Sequence, residues 1–112
     1  MLEEPPILTI HEGLPRASGE QLDALAGTPS GFLADAMDGR GALPSGIRHL
    51  RPGVLPETMC GRVLTCQCGP SDVLAVLAAL GEVQAGDILV AATGGWTGSA
   101  VAGDRVMGML RN

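Results

Sequence analysis

At 112 residues the chain has material for one domain at most. Its net charge is −5 and its seven basic residues are all Arg, a balance that argues against nucleic acid as the main partner because phosphate contacts need a basic footprint. Apolar residues make up 46% but aromatics only 2%, so the core must come from Leu, Val, Ala and Met, and an oligomer or a piece of something longer is expected.

Residues 1–17 carry Pro5, Pro6 and Pro15 and read as an extended arm. Ser18-Gly19-Glu20-Gln21 has the form of a capping box; a short helix follows with Leu22, Leu25 and Ala26 on one face, and Gly27 ends it. Thr28-Pro29 restarts the chain as N-cap and first helical residue, opening a second helix that turns Phe32, Leu33, Ala36 and Met37 inward and stops at Gly39. From Gly39 to Gly61 no helical or alternating period holds, which predicts a long ordered loop with a short extended piece at 46–50. Arg62 to Cys68 alternates as a strand, Leu64, Cys66 and Cys68 on one face and Val63, Thr65 and Gln67 on the other. Gly69-Pro70-Ser71 breaks it and caps a helix over 72–80, apolar almost all round, with Asp72 in the first turn where the dipole favours a carboxylate. After Gly81 and the turn at Ala85-Gly86-Asp87, the run Ile88 to Ala92 suits a central strand covered on both faces. A β-α-β unit over about 61–93 results, followed by a glycine-rich connector and a final helix from about Ala100 to Leu110. The fold class is α/β.

Several chemistries are narrowed by composition. The chain has no Lys, so no Schiff base can form on its side chains and carbonyl chemistry would need a metal or an oxyanion pocket. Three Cys without a signal peptide fit a reducing, cytoplasmic setting; the longest strongly apolar run, Val73 to Leu80, is too short to span a bilayer, so no membrane partner is expected. Cys60, Cys66 and Cys68 lack the spacing of a zinc finger or ribbon and read as thiols of the fold. His11 and His49 read as structural or exposed. Asp35 is either a hydrogen-bonding group at a subunit contact or a solvated helix carboxylate.

The turn from Thr93 to Asp104 is the strongest candidate for a site. Ligands of α/β folds collect where strands end and helices begin; Gly94 and Gly95 permit close backbone approach, and free N–H groups near Gly103 to Val106 can hold a carboxylate or phosphate. By spacing alone a tight turn is the favoured reading, since glycine pairs after strands are mostly that.

Three segments carry a resemblance: T-P-S-G-F-L-A-D-A-M at 28–37, L-P-S-G-I-R-H-L-R-P-G at 43–53, and the run 61–104, above all Q-A-G-D-I-L-V at 84–90 followed by Gly94-Gly95, Ala100 and Gly103-Asp104. Over about residues 20–112 the chain resembles the 4-hydroxy-4-methyl-2-oxoglutarate aldolase family, which also contains the regulator of ribonuclease activity A. The resemblance implies a three-layer β/β/α swivelling domain over 18–112, lacking its C-terminal part, preceded by the 1–17 arm. It further implies a homotrimer and a lyase that releases pyruvate from a small 2-oxo acid, with oxaloacetate decarboxylation as a side activity. Backbone N–H groups of Gly103, Asp104, Arg105 and Val106 would bind the pyruvyl carboxylate. The family's divalent metal, Mg or Mn, sits on an Asp of an Arg-Asp pair that ends a further strand. This sequence reaches Arg111-Asn112 ahead of that strand, so neither a metal ligand nor a catalytic residue is expected in it, and activity is expected to be impaired. Trp96 departs from the polar residue usual after the glycines, and either narrows the pocket or fills a gap. The alternatives are a non-catalytic regulator acting by protein–protein binding, or a truncated gene product.

Overall fold

The computed structural model describes residues 2–111. Among them are four helices and two strands, in the order α1 (Gly19–Leu25), α2 (Ser30–Ala36), β1 (Arg62–Gln67), α3 (Leu74–Glu82), β2 (Asp87–Ala92) and α4 (Asp104–Arg111). They fall into two compact units, one made of the residues up to Arg16 together with those from Gly61 onward, the other of Ala17–Cys60.

In the first unit β1 and β2 pair in parallel, Arg62 opposite Asp87 through Gln67 opposite Ala92, with α3 as the crossover. The β-α-β reading therefore holds. Gly61 and Gly86 show why glycine is needed where the pair begins. A Cβ on Gly61 would run into the Gly86 carbonyl oxygen and lie 3.1 Å from Ile88 Cγ1, and Gly86 itself has φ +84°. Asp87 closes this turn, accepting from the Gln84 N–H at 2.9 Å while its own N–H donates to the Gln84 carbonyl at 3.0 Å.

The core is small. Among the described residues the buried apolar side chains are Cys68, Val76, Ala79 and Val106, and the largest fully enclosed one is Val76. Cys66, Leu80, Leu89, Val101, Ala102 and Leu110 pack round them half-buried. This is the Leu64/Cys66/Cys68 face of β1, as its alternation predicts. Burial pushes the Cys66 thiol up, and the neighbouring Cys68 thiol adds to the effect. In α3, Val76 and Ala79 lie three residues apart on the inner face while Leu77 is half exposed, so the helix is buried along a stripe and not all round. The helix also starts at Leu74, later than expected; Asp72 precedes it and accepts the Leu74 N–H at 2.9 Å.

β2 departs from expectation. Its first three residues are half-buried, but Val90, Ala91 and Ala92 are exposed. An apolar run signals a covered strand only when layers exist on both faces, and in a two-stranded sheet each strand is also an edge.

In the second unit the capping box forms as read: the Gln21 N–H donates to Ser18 Oγ at 3.2 Å and the Ser18 N–H to Gln21 Oε1 at 2.8 Å. The N-cap of α2 is Pro29, one residue later than Thr28 and without a side-chain cap. Its expected inner face is not enclosed: Phe32 is 69% exposed, Met37 45%, and neither α1 nor α2 has a buried residue. The 3.6-residue period marks a face that wants cover, and within this unit nothing thick enough supplies it. The stop is also built differently. The Gly39 N–H reaches the Ala34 carbonyl at 2.8 Å and the Asp38 N–H the Asp35 carbonyl at 3.1 Å. That is a Schellman closure, with Asp38 (φ +55°) rather than glycine at the first left-handed position. Residues 39–61 form no strand, the 46–50 piece included. His49 organises part of this loop: its Nδ1 accepts the Arg51 N–H, so Nε2 carries the proton that goes to the Pro56 carbonyl, each at 3.2 Å.

Candidate functional site

The parallel pair brings the exits of both strands to one end of the sheet, the end at which α/β folds bind ligands. At the exit of β1 the Cys68 N–H extends the ladder to the Ala92 carbonyl at 2.7 Å. The chain then bends through Gly69-Pro70-Ser71, with Ser71 in the left-handed region at φ +58°. At the exit of β2, Thr93 to Trp96 close a turn: the Trp96 N–H donates to the Thr93 carbonyl at 3.2 Å and Thr93 Oγ1 donates to the Trp96 carbonyl at 3.0 Å. Both central residues have positive φ, +63° at Gly94 and +84° at Gly95, which only glycine adopts freely.

The two exit loops touch. Ser71 Oγ and Ser99 Oγ share a hydrogen bond of 2.8 Å, and the Trp96 indole N–H donates to Ser99 Oγ at 3.2 Å. The indole also lies against Gly98, where a Cβ would collide with the six-membered ring. Trp96 thus folds back on its own loop. Ser71, expected only as part of a helix cap, caps nothing here, since the N-cap of α3 is Val73 without a side-chain bond; Ser99 carries no local signal, and only the parallel pairing makes the two serines neighbours.

The final helix begins at Asp104, four residues later than expected, with the Met107 N–H bonded to the Gly103 carbonyl at 3.0 Å. The loop residues Val101 and Ala102 are instead drawn onto the core. Of the four residues expected to bind substrate, Gly103, Asp104 and Arg105 are exposed, and the Val106 side chain is buried beside Cys68 and Val76. The Arg105 N–H already has a partner, the Asp104 carboxylate at 2.9 Å. The helix start therefore carries its own carboxylate on one of the N–H groups that an incoming anion would use.

Among the described residues no three His, Cys, Asp or Glu side chains converge as a metal site would require. These residues do not fit a divalent ion, which needs several oxygen ligands. No helix among them is long and apolar enough to cross a membrane.

A family model described as RraA-like, Aldolase/RraA, matches residues 31–112. A protein of Halalkalibacterium halodurans named "Putative 4-hydroxy-4-methyl-2-oxoglutarate aldolase" is 36% identical over 83 residues, which is 74% of this chain and 38% of that protein. The chain thus spans well under half the length of this relative. No solved structure matches the chain.

Proposed function

Since this chain belongs to the RraA-like aldolase family, we propose that it forms the carboxylate-binding part of a carbon–carbon lyase acting on pyruvyl compounds. The reaction is retro-aldol cleavage of 4-hydroxy-4-methyl-2-oxoglutarate. The 4-hydroxyl gives up its proton, the C3–C4 bond breaks to release pyruvate, and the remaining enolate takes a proton at C3 to become a second pyruvate. Oxaloacetate, which loses carbon dioxide to the same enolate, is the side substrate.

One observation carries this reading: within the matched residues, a Gly-Gly turn leaves the parallel strands and leads to an exposed helix start at Gly103-Asp104-Arg105. In the proposal, backbone N–H groups of Gly103 to Val106 orient the pyruvyl carboxylate, displacing the Asp104 carboxylate from the Arg105 N–H. Ser71, Ser99 and Thr93 line the approach as neutral hydroxyls. Family membership carries with it a divalent ion, Mg or Mn. The described residues of this chain do not form its site. The same reading takes residues 1–17 as an arm and 18–112 as part of a three-layer β/β/α domain in a cytoplasmic homotrimer.

The test has two readouts on the purified chain with Mg²⁺ supplied. Pyruvate formation from 4-hydroxy-4-methyl-2-oxoglutarate or oxaloacetate, abolished by a chelator, supports the lyase. Independently, added pyruvate or oxalate should shift the amide resonances of Gly103 to Val106. If those amides stay unmoved and no pyruvate forms, the reading fails, and capture of a ribonuclease-associated partner would then favour the non-catalytic regulator.

A further inference from the structure

The edge of β1 turned away from β2 has a candidate occupant in the same chain. Because the Cys68 N–H points to Ala92 on β2, alternation places the N–H and C=O groups of Leu64 and Cys66 on that side as well. Those of Val63, Thr65 and Gln67 then fall on the opposite edge. Among the described residues no strand pairs that edge. An open edge beside exposed apolar residues, such as Val63 at 59% exposure, is a template for any extended segment.

The arm lies next to it. Residues 6–16, β1 residues 63–67 and the α3 residues Ala75, Ala78 and Ala79 line one partly open cavity of about 790 Å³. Within the arm, Ile7-Leu8-Thr9-Ile10 is the stretch with strand character, β-branched at three of four positions. Pro6 bounds it on one side, Gly13 (φ +68°) and Pro15 on the other. Ile7 and Ile10 are 91% and 51% exposed, so the segment lies beside the cavity without filling it. Its C-terminal end is tied down, for the Arg16 guanidinium is ion-paired with the covered Asp87 carboxylate at the start of β2. That anchor sits at the end of the sheet where β1 also begins, so the arm approaches β1 in the antiparallel sense. From Arg16 back to His11 the chain can span about 17 Å, more than the roughly 10 Å of two strand spacings from Asp87 on β2 to a strand on the far edge of β1, so His11 can lie opposite Val63.

We propose that Ile7–His11 adds to the free edge of β1 as an antiparallel third strand, with Ile7, Thr9 and His11 opposite Gln67, Thr65 and Val63, closing the cavity and giving the sheet the order arm–β1–β2. The pairing satisfies the Val63, Thr65 and Gln67 edge and moves aliphatic side chains of the arm out of water.

Amide hydrogen exchange of the full chain, read residue by residue by NMR at two protein concentrations, tests this. In the unaltered chain the Val63, Thr65 and Gln67 amides should exchange at least about tenfold more slowly than in Thr9→Pro, which removes a donor and breaks the segment. The Leu64, Cys66 and Cys68 amides, bonded to β2, should be unchanged. Arg16→Ala, which releases the anchor and leaves the segment intact, should give the same pattern to a smaller degree. Equal exchange at Val63, Thr65 and Gln67 in all three proteins overturns the proposal. So does protection that grows with concentration, which would put a second copy on the edge, and so does a general acceleration that includes Leu64 and Cys66.

Discussion

Asp87 does three things at once: it opens β2, caps the turn at Gln84 and anchors Arg16. The guanidinium of Arg16, then the Gln84 N–H, hold its carboxyl below the usual carboxylate value, with a smaller contribution from Arg62. A carboxyl lowered on folding stabilises the fold fully above its unfolded value, about 4, and that stabilisation disappears as pH falls through the lower folded value. Denaturation midpoints of the chain and of Asp87→Asn should therefore differ at pH 7 and converge as the pH falls below about 4. A constant gap across that range would refute the assignment. Gly61→Ala belongs to the same scale: the new methyl meets the Gly86 carbonyl, and overpacking against backbone costs roughly 1–3 kcal/mol, measurable as a lower midpoint. At the candidate site, Asp104→Ala removes a carboxylate from the Arg105 N–H. Two unit charges about 4 Å apart in water repel by about 1 kcal/mol, so oxalate should bind roughly fivefold tighter in a titration.

At the level of elements, the helices show where local chemistry suffices. The box at Ser18 and Gln21 was legible because both partners lie three residues apart, and all the atoms it needs are local. The stop of α2 was misread by one position for a related reason: Gly39 attracts attention as a helix terminator, yet the left-handed run already begins at Asp38 (φ +55°), with Gly39 (φ +77°) following it. Replacing Asp38 by Gly should raise the stability of this segment by about 1 kcal/mol, since glycine carries no left-handed penalty. Circular dichroism during denaturation would register the gain as a higher midpoint, and a loss would mean that the Asp38 side chain matters more than its backbone. The start of α4 was placed too early because Ala100 and Ala102 are strong helix formers. Packing of Val101 and Ala102 on the core outweighs that propensity.

Across the whole chain the limiting quantity is enclosed apolar volume. Val76 is the only large side chain fully enclosed among the described residues, while α1 and α2 enclose none. Folding stability is a small difference between large terms, so residues 17–60 should exchange their amides markedly faster than α3 and β1, a contrast that hydrogen exchange reads directly. A uniform exchange profile would show cover that the chain itself does not supply.

What the sequence by itself determined are the features whose partners lie close along the chain or repeat with a fixed period. These are the capping box, the alternation that turns Leu64, Cys66 and Cys68 inward, the β-α-β order, and the glycines demanded at Gly86, Gly94 and Gly95. Family membership was legible for the same reason, through contiguous motifs such as Q-A-G-D-I-L-V. Tertiary structure alone decided the rest. The Ser71–Ser99 contact joins residues 28 positions apart and the Arg16–Asp87 pair joins residues 71 apart. Whether an apolar strand such as β2 is covered depends on which layers are present, and whether the Arg105 N–H is free depends on the rotamer of Asp104. Local propensity carries no information about partners brought together by long-range pairing, and a hydrophobic pattern records the need for burial without saying what meets it.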